Sequence, residues 1–334
     1  MAYEPAFTVT ARLVALIEKI AALRTQVLAA TVQVPWIPRL QQDARVRNTH
    51  SSTAIEGNPL TQEQVRELAE GRDVPAITDR SRQEVLNYFA GLRYIETHAT
   101  KRRVSHRAIT RLHLIAARGV MDQGQEGKYR RIRVWVGNHK PPPPERVEEL
   151  MDALVGWWNG PARDLSPVIS SAVLHHRFED IHPFGDGNGR VGRLLSLWEL
   201  YRRGFDTHHI FSVDEYFWQD RPRYYQELDA VRRRGGDLSG WLEYCAEGLR
   251  LTLERVWARI QKLAVDQSHD KVVLRPRQEQ LLRMLRDRQA MTPREIREAL
   301  GVSKQGALDQ LKPLLAVGLV KRVGTRKSGK YLLA

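Results

Sequence analysis

The sequence predicts a mainly helical protein in two unequal parts: a large helical domain with one short β-hairpin, then a small C-terminal unit of helices and a second hairpin. Three observations carry this. Apolar residues recur at helical spacing over most of the chain up to about residue 265. One segment, Ile132-Arg-Val-Trp-Val136, alternates at period two between Gly127 and Gly137. Charge then changes character: Lys271 to Ala334 holds 15 Lys and Arg against 5 Asp and Glu, whereas the preceding 270 residues hold 38 against 34.

Taken in order, residues 10–30 place Leu13, Leu16, Ile17, Ile20, Leu23, Val27 and Leu28 on one helical face. Pro35 and Pro38 interrupt, and a second helix runs from near Leu40 to Gly57-Asn-Pro59. Thr61-Gln-Glu-Gln64 reads as a capping box opening a third. Further helices are expected over 80–97, 105–118, 145–158, 166–178, 189–203, 221–233 and 238–264, with Pro141 to Pro144 as a stiff connector. The pattern breaks around Gln267 to Asp270. Beyond it, Thr292-Pro-Arg-Glu295 combines an N-cap, an N1 proline and a capping-box glutamate. Ser303 caps a second helix with Leu308, Leu311, Leu314 and Leu315 on its buried side, and Gly318 closes it. Leu319–Val323 and Tyr331–Leu333 then read as strands around the basic turn Thr325 to Lys330. This is the layout of a winged helix-turn-helix, except that Pro313 must kink or shorten the second helix. The expected domains are 1–100, 101–266 and 271–334.

Composition narrows the function. With 42% hydrophobic residues the chain can bury a core, and 334 residues is roughly two domains' worth. The single cysteine, Cys245, excludes an intrachain disulfide framework or a cysteine-based metal cluster. No secretory signal opens the sequence, and no run reaches the ~18 apolar residues of a membrane helix. The expectation is a cytoplasmic protein with no membrane partner. The net charge of +14 resides mostly in the C-terminal unit, which points to an anionic partner there.

The chemistry concentrates in His182-Pro-Phe-Gly-Asp-Gly-Asn-Gly-Arg-Val-Gly-Arg193. Gly185, Gly187 and Gly189 let backbone approach a ligand, and a leucine-rich helix follows at once, so N–H groups at its start form an anion site. Arg190 and Arg193 share a helix face and can reach polyphosphate oxygens. Asp186 is a hard oxygen ligand suited to Mg²⁺, and His182 suits a general base. Gly187-Asn-Gly-Arg-Val-Gly192 matches the dinucleotide fingerprint literally, but no apolar strand precedes it. A calcium loop fails at Arg190, Val191 and Leu197, and His175, His176 and His182 lack a fitting carboxylate pattern for a metal. A P-loop is absent.

This segment resembles the signature of the Fic family, H-x-F-x-D/E-G-N-G-R-x-x-R, at every fixed position. Gly127-Lys-Tyr-Arg130 and the pair Tyr224-Tyr225 before Trp241 are also similar to the family, across roughly residues 40–250. The resemblance implies a mostly helical fold, ATP with Mg²⁺, and AMP transfer to Ser, Thr or Tyr hydroxyls of a protein. It implies His182 as the base, Phe184 as the loop's anchor and Asp186 as the Mg²⁺ ligand. Gly187, Gly189 and Asn188, side chain included, would cradle the α-phosphate, and Arg190 and Arg193 would hold the β- and γ-phosphates. Tyr224 and Tyr225 would border adenine, and a flap with Ile132, Val134 and Val136 would dock the target by strand addition. AMP as the transferred group rests on the resemblance alone.

Ser52-Thr-Ala-Ile-Glu56-Gly57 resembles the family's inhibitory motif, S/T-x-x-x-E-G/N. A capping box over Thr53 to Glu56 would need a helix continuing beyond Glu56, which Gly57-Asn-Pro59 opposes. Glu56 therefore sits at a helix C-terminus, where an anion needs a partner; Arg193, by resemblance, is that partner. The leading expectation is a self-inhibited adenylyltransferase. The alternatives are a nucleotide-sensing transcription regulator and Fic-type transfer of another phosphate-containing group. The expected partners are a hydroxyl-bearing protein and duplex DNA, the latter met by Ser303, Lys304, Gln305, Arg326 and Lys327; a homodimer is left open.

Overall fold

The structure, a computed structural model, describes residues 2–31, 37–75, 77–100, 103–137, 139–205, 207–266, 274–324 and 329–333. The chain divides into two compact units, residues 1–26 with 44–256, and residues 27–43 with 257–334.

Helices α1 (Ala11–Thr31) and α2 (Ile37–Ile55) come first, followed by α3 (Gln62–Ala69). At the start of α3 the Thr61 hydroxyl accepts from the Gln64 amide while the Gln64 side chain accepts from the Thr61 amide, the reciprocal box the spacing predicts. Next come α4 (Asp79–His98), α5 (His106–Ala116), α6 (Val147–Asn159), α7 (Pro167–Ile181), α8 (Asn188–Arg202), α9 (Asp214–Gln219), α10 (Arg221–Arg233) and α11 (Ser239–Asp266).

The centre is the pair α7 and α8, packed on one another, with α4 and α5 against α8 and α6 against α7. Both are buried on nearly all sides, which is why neither shows a single apolar stripe. Trp158, Phe178, Phe184 and Trp198 fill this core. Glu199, fully buried in α8, accepts from the Trp158 indole, the Ser170 hydroxyl and Arg202, so its charge is paired and its oxygens satisfied. The site begins in the six residues that join these two helices.

The C-terminal unit contains α12 (Pro276–Arg288), α13 (Pro293–Leu300), α14 (Lys304–Ala316), β1 (Val320–Val323) and β2 (Lys330–Leu333). The strands pair antiparallel, Val320 opposite Leu333 and Val323 opposite Lys330. Leu281, Leu285, Met291, Ile296, Leu311, Leu314, Val320 and Tyr331 form its core. The capping box of Thr292 and Glu295 and the left-handed Gly301 bound α13 as expected.

Several expectations are corrected. Residues 132–136 form no strand: among the described residues the segment makes one isolated bridge, from Val136 to His139, too little for a ladder. Arg130 instead holds it by donating to the Ile132 carbonyl. Helix α14 runs through Pro313 to Ala316, because a proline in the last turn deletes an amide where the helix is nearly over. Helices α9 and α12 lie where the spacing predicts no helix. The basic turn, with Arg326 and Lys327, lies outside the described residues, as does the break at 267–270.

Candidate active site

His182 is the first residue beyond α7 and adopts a left-handed conformation, φ 49° and ψ 62°. Its amide still donates to the Phe178 carbonyl at 2.9 Å, and its own carbonyl accepts from Arg130 Nε at 2.8 Å. The turn swings its side chain off the helix.

Phe184 is fully buried and stacks on His113, centroids 3.7 Å apart and planes 8° from parallel. His113 Nδ1 accepts from the Gly127 amide at 2.9 Å, so its Nε2 carries the hydrogen, donated to the Asp186 carbonyl at 2.9 Å. Burial pushes the His113 pKa down to about 4, which keeps it neutral in this role. Asn188 Oδ1 accepts from the Phe184 amide at 2.9 Å and its Nδ2 donates to the Phe184 carbonyl at 3.0 Å. The Asn188 side chain thus closes the loop on itself. The backbone N–H groups at the start of α8 are of the kind that can receive an anion.

Two carboxylates border this helix start. Asp186 accepts from the Gly187 and Asp122 amides, and its side chain keeps 27% exposure. Glu56, just past α2, donates its amide to the Thr53 carbonyl and lies against Gly189, where any Cβ would collide with its carboxylate. Arg193, buried, donates Nη2 to Glu56 Oε1 at 2.7 Å and to the Ser52 carbonyl at 3.0 Å, and Nε to the Ser52 hydroxyl at 2.7 Å. Burial raises the Glu56 pKa, but the charge and hydrogen bond of Arg193, with Arg190 and His182 nearby, outweigh it and hold the carboxyl below its usual range. Arg190 is buried, with Glu84 at 3.9 Å and Asp186 at 3.8 Å, while its Nε and Nη1 lack hydrogen-bond partners among the described residues. Such a cation is poised for an anion.

The structure therefore brings together His182, Asp186, Gly187, Gly189, Arg190, Arg193, Ser52 and Glu56. The tyrosines part company. Tyr224 is buried, its hydroxyl 3.0 Å from His175 Nε2 and its ring stacked on Phe217, so it is a core residue and not an adenine contact. Tyr225 is half exposed, and its hydroxyl donates to the Ile55 carbonyl at 3.4 Å beside Glu56. In the flap, Val134 is buried and serves as an anchor, while Ile132 and Trp135, 65% exposed, present the outer surface and Val136 is half-buried. Ser303, Lys304 and Gln305 are exposed at the start of α14. Sequence reasoning missed His113, Glu179 and the Tyr88–Asp214 hydrogen bond of 2.6 Å, because no contiguous motif marks them.

Residues 103–200 match the Fic/DOC family, and the chain is similar over 99% of its length to a crystal structure of a Fic family protein from Desulfovibrio desulfuricans (27% identity, 98% of that chain, TM-score 0.68). This chain belongs to the Fic family. A Fic-domain signaling protein from Bacteroides thetaiotaomicron shares the fold at 23% identity and TM-score 0.64, covering 73% of this chain and 97% of that one. Among curated proteins, the chain is 30% identical over 229 residues to the protein adenylyltransferase Fic of Culex quinquefasciatus and 31% over 226 to that of Drosophila willistoni. Each match takes 66% of this chain but 44% and 43% of the relatives, so the Fic chain spans less than half the length of the curated proteins it matches.

Proposed function

We propose that this Fic chain transfers AMP from ATP to a Ser, Thr or Tyr hydroxyl of a protein, itself included, and that Glu56 restrains it. The observation that carries the reading is the Arg193–Glu56 pair at the start of α8: the arginine suited to a terminal phosphate is already held by an internal carboxylate. His182 takes the proton of the incoming hydroxyl, the oxygen attacks the α-phosphorus, and the bond to the β-phosphate oxygen breaks to release pyrophosphate. The backbone of residues 187–189 meets the charge developing on the α-phosphate, and Arg190 holds the polyphosphate. Tyr225, rather than Tyr224, borders the adenine, and a target segment lies along the flap at Ile132 and Trp135.

Among the described residues no group of three or more His, Cys, Asp and Glu forms a metal cage. Asp186, partly exposed beside the anion site, suits Mg²⁺ nonetheless, since that ion is held through one or two carboxylates, water and the substrate's phosphates. Bound there, Mg²⁺ would neutralise charge on the α- and β-phosphates. While Glu56 occupies Arg193, ATP lies in an unproductive pose.

No described helix is long and apolar enough to cross a membrane, and the reading places the chain in the cytoplasm. For the C-terminal unit we infer duplex-DNA binding, supported by its charge excess and by the exposed Ser303, Lys304 and Gln305 at the start of α14. Incubating the full chain and its Glu56→Gly variant with α-labelled and γ-labelled ATP tests the reading. Label carried onto protein from the α position alone is expected; transfer from γ alone, or none from either, removes AMP transfer.

A further inference from the structure

We propose that Glu179 is the positioning residue for His182: its buried carboxylate accepts the Nδ1–H of the imidazole and leaves Nε2 free to take the proton. This rests on the reading of His182 as base.

The two residues stand one helical turn apart at the end of α7. Glu179 Oε2 lies 3.6 Å from His182 Nδ1, with the side chains 9% and 16% exposed. Glu179 Oε1 and His182 Nδ1 are both buried and lack hydrogen-bond partners among the described residues. The unsatisfied ring nitrogen thus faces one oxygen of the carboxylate, Oε2, while the other oxygen, Oε1, is left without a partner on the side of α8. This placement has a visible cause. Gly192, the fifth residue of α8, leaves the space the carboxylate fills, and a Cβ there would collide with Glu179 Oε1. Gly189 does the same for Glu56, so the one helix start has two side-chain-free gaps, each filled by a carboxylate.

The other charged groups near the imidazole do not perform this task. Glu56, from the end of α2, acts on His182 through charge but is bonded to Arg193. From the segment that follows α5, Arg130 bonds the His182 carbonyl, and His139, whose pKa burial lowers, turns Nε2 to the Asp180 carbonyl at 3.1 Å. A neutral imidazole has one donor nitrogen and one acceptor, and whichever partner claims the hydrogen at Nδ1 decides that Nε2 is the base. Separations at catalytic pairs commonly tighten only once substrate is bound.

The test uses the full chain. ¹⁵N-histidine NMR at mildly alkaline pH, with His182 assigned through His182→Asn, is expected to show the Nδ1–H tautomer in the parent and a shift toward Nε2–H in Glu179→Gln, whose amide can donate to Nδ1. In the Glu56→Gly background, Glu179→Gln is expected to lower kcat about 100-fold at unchanged KM for ATP, and Glu179→Asp to recover part of it. The same tautomer in parent and Glu179→Gln, or a kcat loss matched by lost ATP affinity and lost Tm, overturns the proposal. If the Glu56→Gly chain transfers nothing, the functional reading fails, and the tautomer comparison still decides the role of Glu179.

Discussion

The centre of the Fic domain and the C-terminal unit are both rich in arginine, yet they hold it in opposite environments. Arg190, Arg193 and Arg202 on α8 have side chains 4%, 1% and 5% exposed, against Glu84, Glu56 and Glu199. In the C-terminal unit, Arg283 and Arg294 are 72% and 80% exposed and pair with neighbours four residues away on their own helices. A buried arginine is held in place, and losing its partner strands a charge, even where the partner reaches solvent as Glu56 does at 34% exposure; an exposed i,i+4 pair contributes a few tenths of a kcal/mol and is screened by salt. The first environment suits orientation of a reacting group, the second suits salt-dependent attraction to a polyanion.

The sharpest way to break the comparison is at the buried centre. His182→Ala is expected to lower AMP transfer by ~10²–10⁴-fold while ATP, measured by equilibrium binding, still associates with the intact anion site. Equal transfer by mutant and parent would remove His182 from the mechanism. Next, Glu56→Gly frees Arg193. One charged hydrogen-bonded pair of ~1.5–3 kcal/mol corresponds to roughly a 10- to 150-fold gain in the productive pose, read as label incorporated at saturating Mg-ATP. No gain would sink the restraint. The same variant should lower Tm by more than Arg294→Ala does, and a reversed order in calorimetry would contradict the contrast between the two environments.

Acid should separate the regions in another way. His113 is neutral in the fold with a pKa near 4, against about 6.5 in an unfolded chain. The unfolded chain binds more protons between those values, so stability is full above about pH 6.5 and falls as pH drops toward 4, by up to roughly 3 kcal/mol from this residue. His175 and His176, also pushed down by burial, act in the same direction. Denaturant unfolding at several pH values reads this, and a flat profile across that window would show that these histidines do not resist protonation. The Glu56 restraint, by contrast, should persist into mild acid, because Arg193 holds that carboxyl below its usual range.

The smallest effect is expected at the exposed surface. Replacing Arg326 and Lys327 by alanine should weaken duplex binding on all sequences and flatten the slope of log K against log salt by up to roughly two units. A full chain that fails to retard DNA at low salt would leave protein contact as the role of the C-terminal unit.

Much of this arrangement is legible in sequence where information is local. Helix spans follow apolar spacing and caps, and the 182–193 segment is contiguous, so its chemistry can be recognised before any fold is known. What stays hidden depends on packing between distant segments. Tyr224 and Tyr225 are neighbours in sequence, but a helix turns about 100° per residue, and only the folded core decides which faces inward. Residues 132–136 alternate correctly for a strand yet find no ladder partner among the described residues. His113 meets Asp186 across 73 positions, and Asn188 is claimed by Phe184 only because the loop closes tightly. Helix α12 hides because arginines interrupt the stripe of Leu281, Leu282 and Leu285.

The left-handed backbone at His182 bears on how this site trades endurance against turnover. A side chain held at φ 49° costs of order 1–2 kcal/mol that glycine would not incur. The fold alone would therefore be served better by glycine or asparagine at that position. His182→Gly is accordingly expected to give a protein that withstands heat at least as well as the parent while doing no chemistry. On the proposed reading, the histidine is tolerated by the architecture and justified only by the reaction.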